Sequence, residues 1–259
     1  LLINLVFVID SKFITPLEVT LTSIVSNALP DDELNFQIIT FDPISDIQVS
    51  RFKCLVHPHK FKIQNFNVSK LEPFIQAFAT SDRKLPITSL GRLWLPYIVD
   101  DVDRVIYLDA DTVVLKSLRS LYETEMENIY FGGVYDHGTP DRHFQDYIGL
   151  GKLAKFSYIN SGVMVMNLKL MRDHDYLEGQ TDMIVKILER APCHDQDVIN
   201  ILYQHQIKLL DPKYNTFGSD RITDQTTIVH FLGDTKPWNA PTPNQQIWIK
   251  YQKLSISKC

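Results

Sequence analysis

Leu1 to Ile9 (LLINLVFVI) is a nearly continuous apolar run that ends at Asp10. A run of this kind predicts a strand covered on both faces, as in a mostly parallel sheet, rather than the strict alternation of a half-solvated strand. Pro16 then opens a stretch with apolar residues at Leu17, Leu21, Ile24 and Val25, a helical spacing with proline in the first turn. The alternation continues with a strand over Phe36 to Phe41, a helix over Ile44 to Leu55 and a short strand over Phe61 to Phe66. Strands separated by helices imply parallel pairing through right-handed crossovers. Leu90 to Val99 (LGRLWLPYIV) has a helical period, with Pro96 as a kink or stop. Arg104 to Leu108 (RVIYL) is the clearest interior strand, and it delivers Asp109-Ala110-Asp111 at its carboxyl end. That is the end at which open α/β sheets bind ligands. Further strands are expected over Ile129 to Tyr135, Ser161 to Leu168 and Thr227 to Phe231, and helices over Tyr176 to Arg190 and Asp197 to Gln204. No repeat or linker interrupts the series, so the expectation is one α/β domain over residues 1–259, a mixed, mostly parallel sheet flanked by helices.

A chain of 259 residues with 44% apolar and 22% charged residues is long enough for a substantial core and too apolar for extensive disorder. The formal charge of −5, without a run of Lys or Arg, argues against a nucleic-acid partner, so an anionic ligand must be met by a few placed cations or a metal. No apolar run approaches the ~20 residues that span a bilayer, so no transmembrane segment is expected in the chain. The sequence does not open on Met, which is compatible with a leader or anchor before Leu1. Cys54, Cys193 and Cys259 are odd in number and widely spaced, which predicts free thiols rather than disulfides or a thiolate zinc site.

Asp-x-Asp occurs four times, at 101/103, 109/111, 173/175 and 195/197. Spacing alone therefore selects none of them. Only 109/111 directly follows a strong apolar strand, where two carboxylates on a loop can give oxygen ligands to a hard divalent cation and leave positions open. The alternatives are a solvated turn and the nucleophile loop of haloacid-dehalogenase-type phosphatases, in which Asp109 would be phosphorylated. That family carries its motif on the first strand and an acidic pair late in the chain, and this sequence has neither arrangement. A second constellation, His230-Phe231-Leu232-Gly233-Asp234-Thr235-Lys236-Pro237-Trp238, suits a diphosphate: His230 offers a nitrogen ligand, Lys236 a point charge, and Gly233 close backbone approach.

With these landmarks in order, joined by YINSGVMVMNL and HDQDVIN, the chain resembles family 8 glycosyltransferases, a GT-A-fold (Rossmann-like) group that includes bacterial lipopolysaccharide galactosyl- and glucosyltransferases. The resemblance implies a retaining, Mn²⁺-dependent hexosyltransferase, with Mg²⁺ as a substitute, that takes galactose or glucose from a UDP-sugar. The acceptor would be a glycan, a lipid-linked molecule or a protein. It implies Asp109, Asp111 and His230 as metal ligands, Asp10 and Ala110 as donor contacts, Asp10 lying near the uracil and ribose, and Gly233 and Lys236 as diphosphate contacts. Arg92, Asn160, Asp195 and Gln196 would surround the donor sugar, Asp136 would lie near the active site, and Gln196 and Asp195 would be the catalytic candidates. Several of these residues also admit a purely structural role: Arg92 as a surface helix charge, Asp195 as a helix cap, and Asn160-Ser161-Gly162 as a turn. A non-catalytic sugar-nucleotide- or glycan-binding module on the same fold is the other functional class. Asp136 to Lys155 and the tail after Trp238 are the expected acceptor-binding segments.

Overall fold

The structure, a computed structural model, describes residues 1–80, 87–138, 158–190 and 192–259. In chain order the strands and longer helices are β1 (Leu2–Ile9), α1 (Ile14–Ser26), β2 (Glu33–Thr40), α2 (Asp46–Val56), β3 (Lys60–Asn65), α3 (Glu72–Thr80), α4 (Leu95–Ile98), β4 (Arg104–Leu108), β5 (Thr112–Val114), α5 (Arg119–Tyr122), β6 (Phe131–Tyr135), β7 (Ile159–Asn167), α6 (Leu168–Asp173), α7 (Thr181–Arg190), α8 (Asp195–Leu202), β8 (Ile207–Leu209), β9 (Thr216–Phe217), β10 (Ile228–His230) and α9 (Gln245–Lys258). The chain divides into two compact units: Leu1–Asn65 with Val105–Thr124 and Asp211–Cys259, and Phe66–Arg104 with Glu125–Leu210.

In the first unit β1 pairs in parallel with β2 along its whole length, from Leu2↔Glu33 to Ile9↔Thr40. On its other edge it pairs with β4 at Leu5↔Ile106 and Val6↔Tyr107, and β2 continues the parallel sheet to β3. With a neighbour on each edge and both faces covered, Leu5, Val6 and Phe7 are fully buried, which accounts for the unbroken apolar run. A second, smaller sheet has β10 at its centre, antiparallel to β5 and parallel to β9. α1 serves as a polar clamp on β5. Thr20 Oγ1 lies 2.7 Å from both the Ala110 and Thr112 carbonyls, the Ser23 hydroxyl accepts from Val114 N at 2.9 Å, and Asn27 Nδ2 donates to Val114 O at 3.0 Å. These contacts explain why an otherwise apolar helix buries Thr20 and Ser23.

α9 covers this unit. Trp248 and Tyr251 are buried with Val19, Val113, Val229 and Phe231, Lys258 Nζ donates to Leu55 O at 2.7 Å, and Cys259 forms a disulfide with Cys54. The expectation of free thiols is thus wrong for two of the three cysteines; Cys193 is not in a disulfide. The error has a physical origin: the partners are 205 residues apart in sequence, and only the docking of α9 on α2 brings them together.

In the second unit β7 is antiparallel to β6, and β6 is parallel to β8. The β6–β7 register shifts between Gly133 and Tyr135. A Cβ at Gly133 would come within 2.6 Å of Ile159 Cδ1, so the close approach of these strands requires glycine there. The predicted helix over Leu90 to Val99 is two pieces: a 3₁₀ segment, Ile87–Trp94, and then α4, which has Pro96 in its first turn. Proline has started a helix where a stop was expected. The helix expected from Tyr176 begins only at Thr181, because Asp175 and Gly179 adopt positive φ of 43° and 70° and turn the chain before it. Among the described residues no helix is long and apolar enough to cross a membrane. The fold class is the expected one, α/β with mostly parallel strand pairing and flanking helices.

Candidate functional site

β4 ends in the buried Tyr107 and Leu108 and releases the chain into Asp109-Ala110-Asp111, which β5 then catches. Pairing of β5 with β10 puts His230 opposite Thr112, and Phe231 N donates to the Asp111 carbonyl at 3.0 Å. Three ligand-type side chains therefore converge. His230 Nε2 lies 3.2 Å from Asp111 Oδ1 and 3.8 Å from Asp109 Oδ2, and the ligand atoms of all three residues lie within 4.8 Å of one another. Each is oriented from behind. Tyr107 Oη donates to Asp109 Oδ1 at 2.6 Å, leaving Oδ2 toward the imidazole. His230 Nδ1 lies within hydrogen-bond distance of Asn215 Oδ1, at 3.0 Å, so the ring is held with Nε2 toward the carboxylates.

Lys236 Nζ reaches the same centre, donating to Asp111 Oδ2 at 2.6 Å and to the Phe231 carbonyl at 2.8 Å. Two of its three protons are thereby placed, and a third donor remains for an anion. The chain can turn back in this way because Gly233 adopts φ +82° with open space around it, a conformation a side chain would strain. Burial acts to raise the Asp111 pKa, but His230 and Lys236 outweigh it and hold that carboxyl well below the usual carboxylate range. Asp111 Oδ1 is nevertheless a buried oxygen that accepts no hydrogen bond. An ionised, buried oxygen without a hydrogen bond is costly by itself and fits a cation. Two carboxylate oxygens and one imidazole form a donor set suited to Mn²⁺, so the residues fit the expected metal.

The second unit holds a different kind of cluster. Asn160 and Ser161 lie inside β7, not in a turn, and Asp195 and Gln196 form the first turn of α8. Arg92 is buried rather than a surface charge: Nη1 donates to the Ser161 carbonyl and hydroxyl at 2.7 and 2.8 Å, and Nε lies 3.1 Å from Asp195 Oδ2. Asp195 is not the helix cap, because the N-cap position belongs to His194, at φ 46°. The Gln196 amide is saturated. Its oxygen accepts from Ser161 N at 2.9 Å and Asn160 Nδ2 at 3.2 Å, and its nitrogen donates to Asp136 Oδ2 at 2.9 Å and Tyr158 Oη at 3.0 Å. Tyr158 Oη in turn donates to Asp197 Oδ1 at 2.8 Å. Burial, with Asp197 beside it, pushes that hydroxyl's pKa well above the ordinary value, so it remains a donor.

The expected residues thus fall into two sets, Asp109, Asp111, His230, Gly233 and Lys236 in the first unit, and Arg92, Asp136, Asn160, Asp195 and Gln196 in the second. Two first-unit residues have structural duties that the sequence did not suggest. The Asp10 carboxylate caps the 3₁₀ turn at Ser11–Phe13 by accepting from Lys12 N at 2.9 Å, and the Ala110 carbonyl is met by Thr20. Of the expected acceptor segment from Asp136 to Lys155, residues 139–155 lie outside the described residues. Sequence reasoning misses Asn215, Tyr107, Tyr158 and Asp197. Tyr107 could have been found as the last inward position before Leu108, whereas Asn215 sits in KYNTF, where no pattern marks it.

The profile of Glycosyl transferase family 8 matches residues 4–242. The chain is 24% identical to the glycosyltransferase GlyF of Streptococcus pneumoniae over 98% of its own length and 62% of that protein's. To the lipopolysaccharide 1,3-galactosyltransferase of Salmonella typhimurium it is also 24% identical, over 92% of the chain and 73% of that protein. Among solved structures, an active-site glutamine-to-glutamate variant of LgtC superposes with TM-score 0.81 at 21% identity, covering 97% of this chain and 96% of that one. The galactosyltransferase LgtC with donor and acceptor sugar analogues gives TM-score 0.80 at 22% identity, over 98% and 96%. At that identity the likeness shows the shared GT-A fold.

Proposed function

Since the chain belongs to Glycosyl transferase family 8, we propose that it is a retaining hexosyltransferase that moves galactose or glucose from a UDP-sugar to a glycan, lipid-linked or protein acceptor. Mn²⁺ is its cofactor and Mg²⁺ a substitute. Family membership removes the phosphatase reading of the Asp-x-Asp strand. The observation that carries the proposal is the Asp109–Asp111–His230 group with its buried, unsatisfied Asp111 oxygen and Lys236 alongside. Asp109, Asp111 and His230 hold the cation, which supplies positive charge to a diphosphate leaving group. Lys236 donates a hydrogen bond from its third N–H to a phosphate oxygen, and Gly233 lets the backbone approach the same group.

In the second unit Arg92, Asn160 and Asp195 orient the sugar hydroxyls, with Asp136 bracing Gln196. The acceptor hydroxyl oxygen bonds to the anomeric carbon as the carbon–phosphate oxygen bond breaks on the same face. The bonding pair leaves with the diphosphate, and the hydroxyl proton passes to that departing oxygen. Gln196 stabilises the cationic sugar through its amide oxygen, in exchange for the 3.2 Å contact from Asn160. Release of free hexose from UDP-galactose or UDP-glucose without acceptor tests the proposal: slow, Mn²⁺-dependent release that chelator abolishes is expected. Tight donor binding with no turnover would instead mark a binding module.

A further inference from the structure

The second unit contains a cavity of about 440 Å³ that shares no lining residue with the Arg92–Gln196 network, within the roughly 300–1,000 Å³ of small-molecule sites. Three aromatic rings stand on its walls, those of Phe74, Trp94 and Tyr97, and Lys70, Asp175 and Glu178 supply charge of both signs. We propose that this cavity is a second carbohydrate-binding site, one that takes a neutral hexose unit of a glycan through ring stacking and carboxylate–hydroxyl hydrogen bonds.

The walls are pre-shaped. Phe74 and Trp94 pack with ring centroids 5.3 Å apart, and Tyr97 stacks on Tyr176 at 6.2 Å. Tyr97 Oη donates to Asp175 Oδ1 at 2.6 Å. The turn that carries both carboxylates is held by Glu178 N donating to the Asp175 carbonyl at 2.8 Å and by positive φ at Asp175 and Gly179. Indole and phenol rings give an apolar face beside a polar edge, which matches the C–H face and hydroxyl rim of a pyranose. Carboxylates are acceptors with capacity for several hydroxyl donors. Asp175 and Glu178 repel an anionic ligand, and three charged lining groups are costly to bury under a purely apolar one. The inference stands on the lining alone and goes beyond the transferase reading.

The test is saturation-transfer NMR with maltose and lactose as probes, in chelator and without nucleotide. Saturable transfer to the ring C–H protons is expected in the unaltered protein, with binding weakened at least about tenfold, ~1.4 kcal/mol, by Trp94→Ala. Thr181→Trp, from an exposed position on the cavity rim, fills the space without removing a core side chain; it should abolish sugar binding while leaving Mn²⁺-dependent donor hydrolysis unchanged. That second readout separates failure here from failure of the transferase proposal. Absence of saturable binding by either disaccharide overturns the site. So does binding that survives Thr181→Trp, or a cavity that takes tetramethylammonium and neither sugar.

Discussion

The polar clusters of the two units use similar residues to opposite ends. Around Asp111 the protein brings together two carboxylates and an imidazole nitrogen, and leaves a buried oxygen without a hydrogen bond. Around Gln196 every donor and acceptor of the buried amide has a protein partner. The first arrangement is incomplete and gains by binding a cation; the second is complete and gains rigidity. The sequence signal was similar in both places, short runs of Asp, Asn, Gln and His, yet only geometry separates a centre left open for a cation from one whose side chains already hold one another in place.

The largest effect should follow Asp111→Asn. It keeps the shape and removes a ligand charge, so Mn²⁺-dependent hexose release should fall at least about a hundredfold, while circular dichroism still reports a folded protein. Undiminished release would remove Asp111 from the metal site. Gln196→Ala should do the reverse. It removes the acceptor of Ser161 N–H and one of the donors to Asp136 in a buried network, and chemical denaturation should report a loss of about 2–4 kcal/mol, along with reduced transfer. An unchanged denaturation midpoint would break the contrast between the two clusters. Asn215→Ala removes the acceptor that orients His230; calorimetry should show metal affinity about 10–100-fold weaker, and an unaltered affinity would remove the orienting role. The smallest effect concerns pH. The folded Asp111 carboxyl titrates below its unfolded value of 3.8, so its contribution to stability is present above that value and lost as pH falls toward the folded one. Acid unfolding of metal-free protein should therefore begin at lower pH than in Asp111→Asn, where this contribution is missing.

Much of the first unit was legible because its strands are long and apolar: β1, β2 and β4 are readable as runs, and β4 points directly at Asp109. Of the small sheet only β10 was, within the run Thr227 to Phe231; β5 and β9 have three and two residues, too few to show a pattern. Long-range docking of α9 explains the missed disulfide, and α9 itself was missed because its apolar residues do not line one face: Trp248 and Tyr251 are buried while Leu254 and Ile256 are exposed. In the site, His230 and Lys236 could be named from chain order, but Asn215 and Tyr158 act through hydrogen bonds that no local spacing encodes. Arg92 shows the limit most clearly: an arginine amid LGRLWL suggests a surface charge on an apolar helix, and only the position of Ser161 and Asp195 explains its burial.

Mn²⁺ titration in the presence of UDP, followed by electron paramagnetic resonance, tests the central claim most directly. The account predicts one tightly bound ion per chain and none in the Asp109→Asn/Asp111→Asn double variant, with both proteins folded by circular dichroism. Unchanged Mn²⁺ binding in the double variant would contradict it.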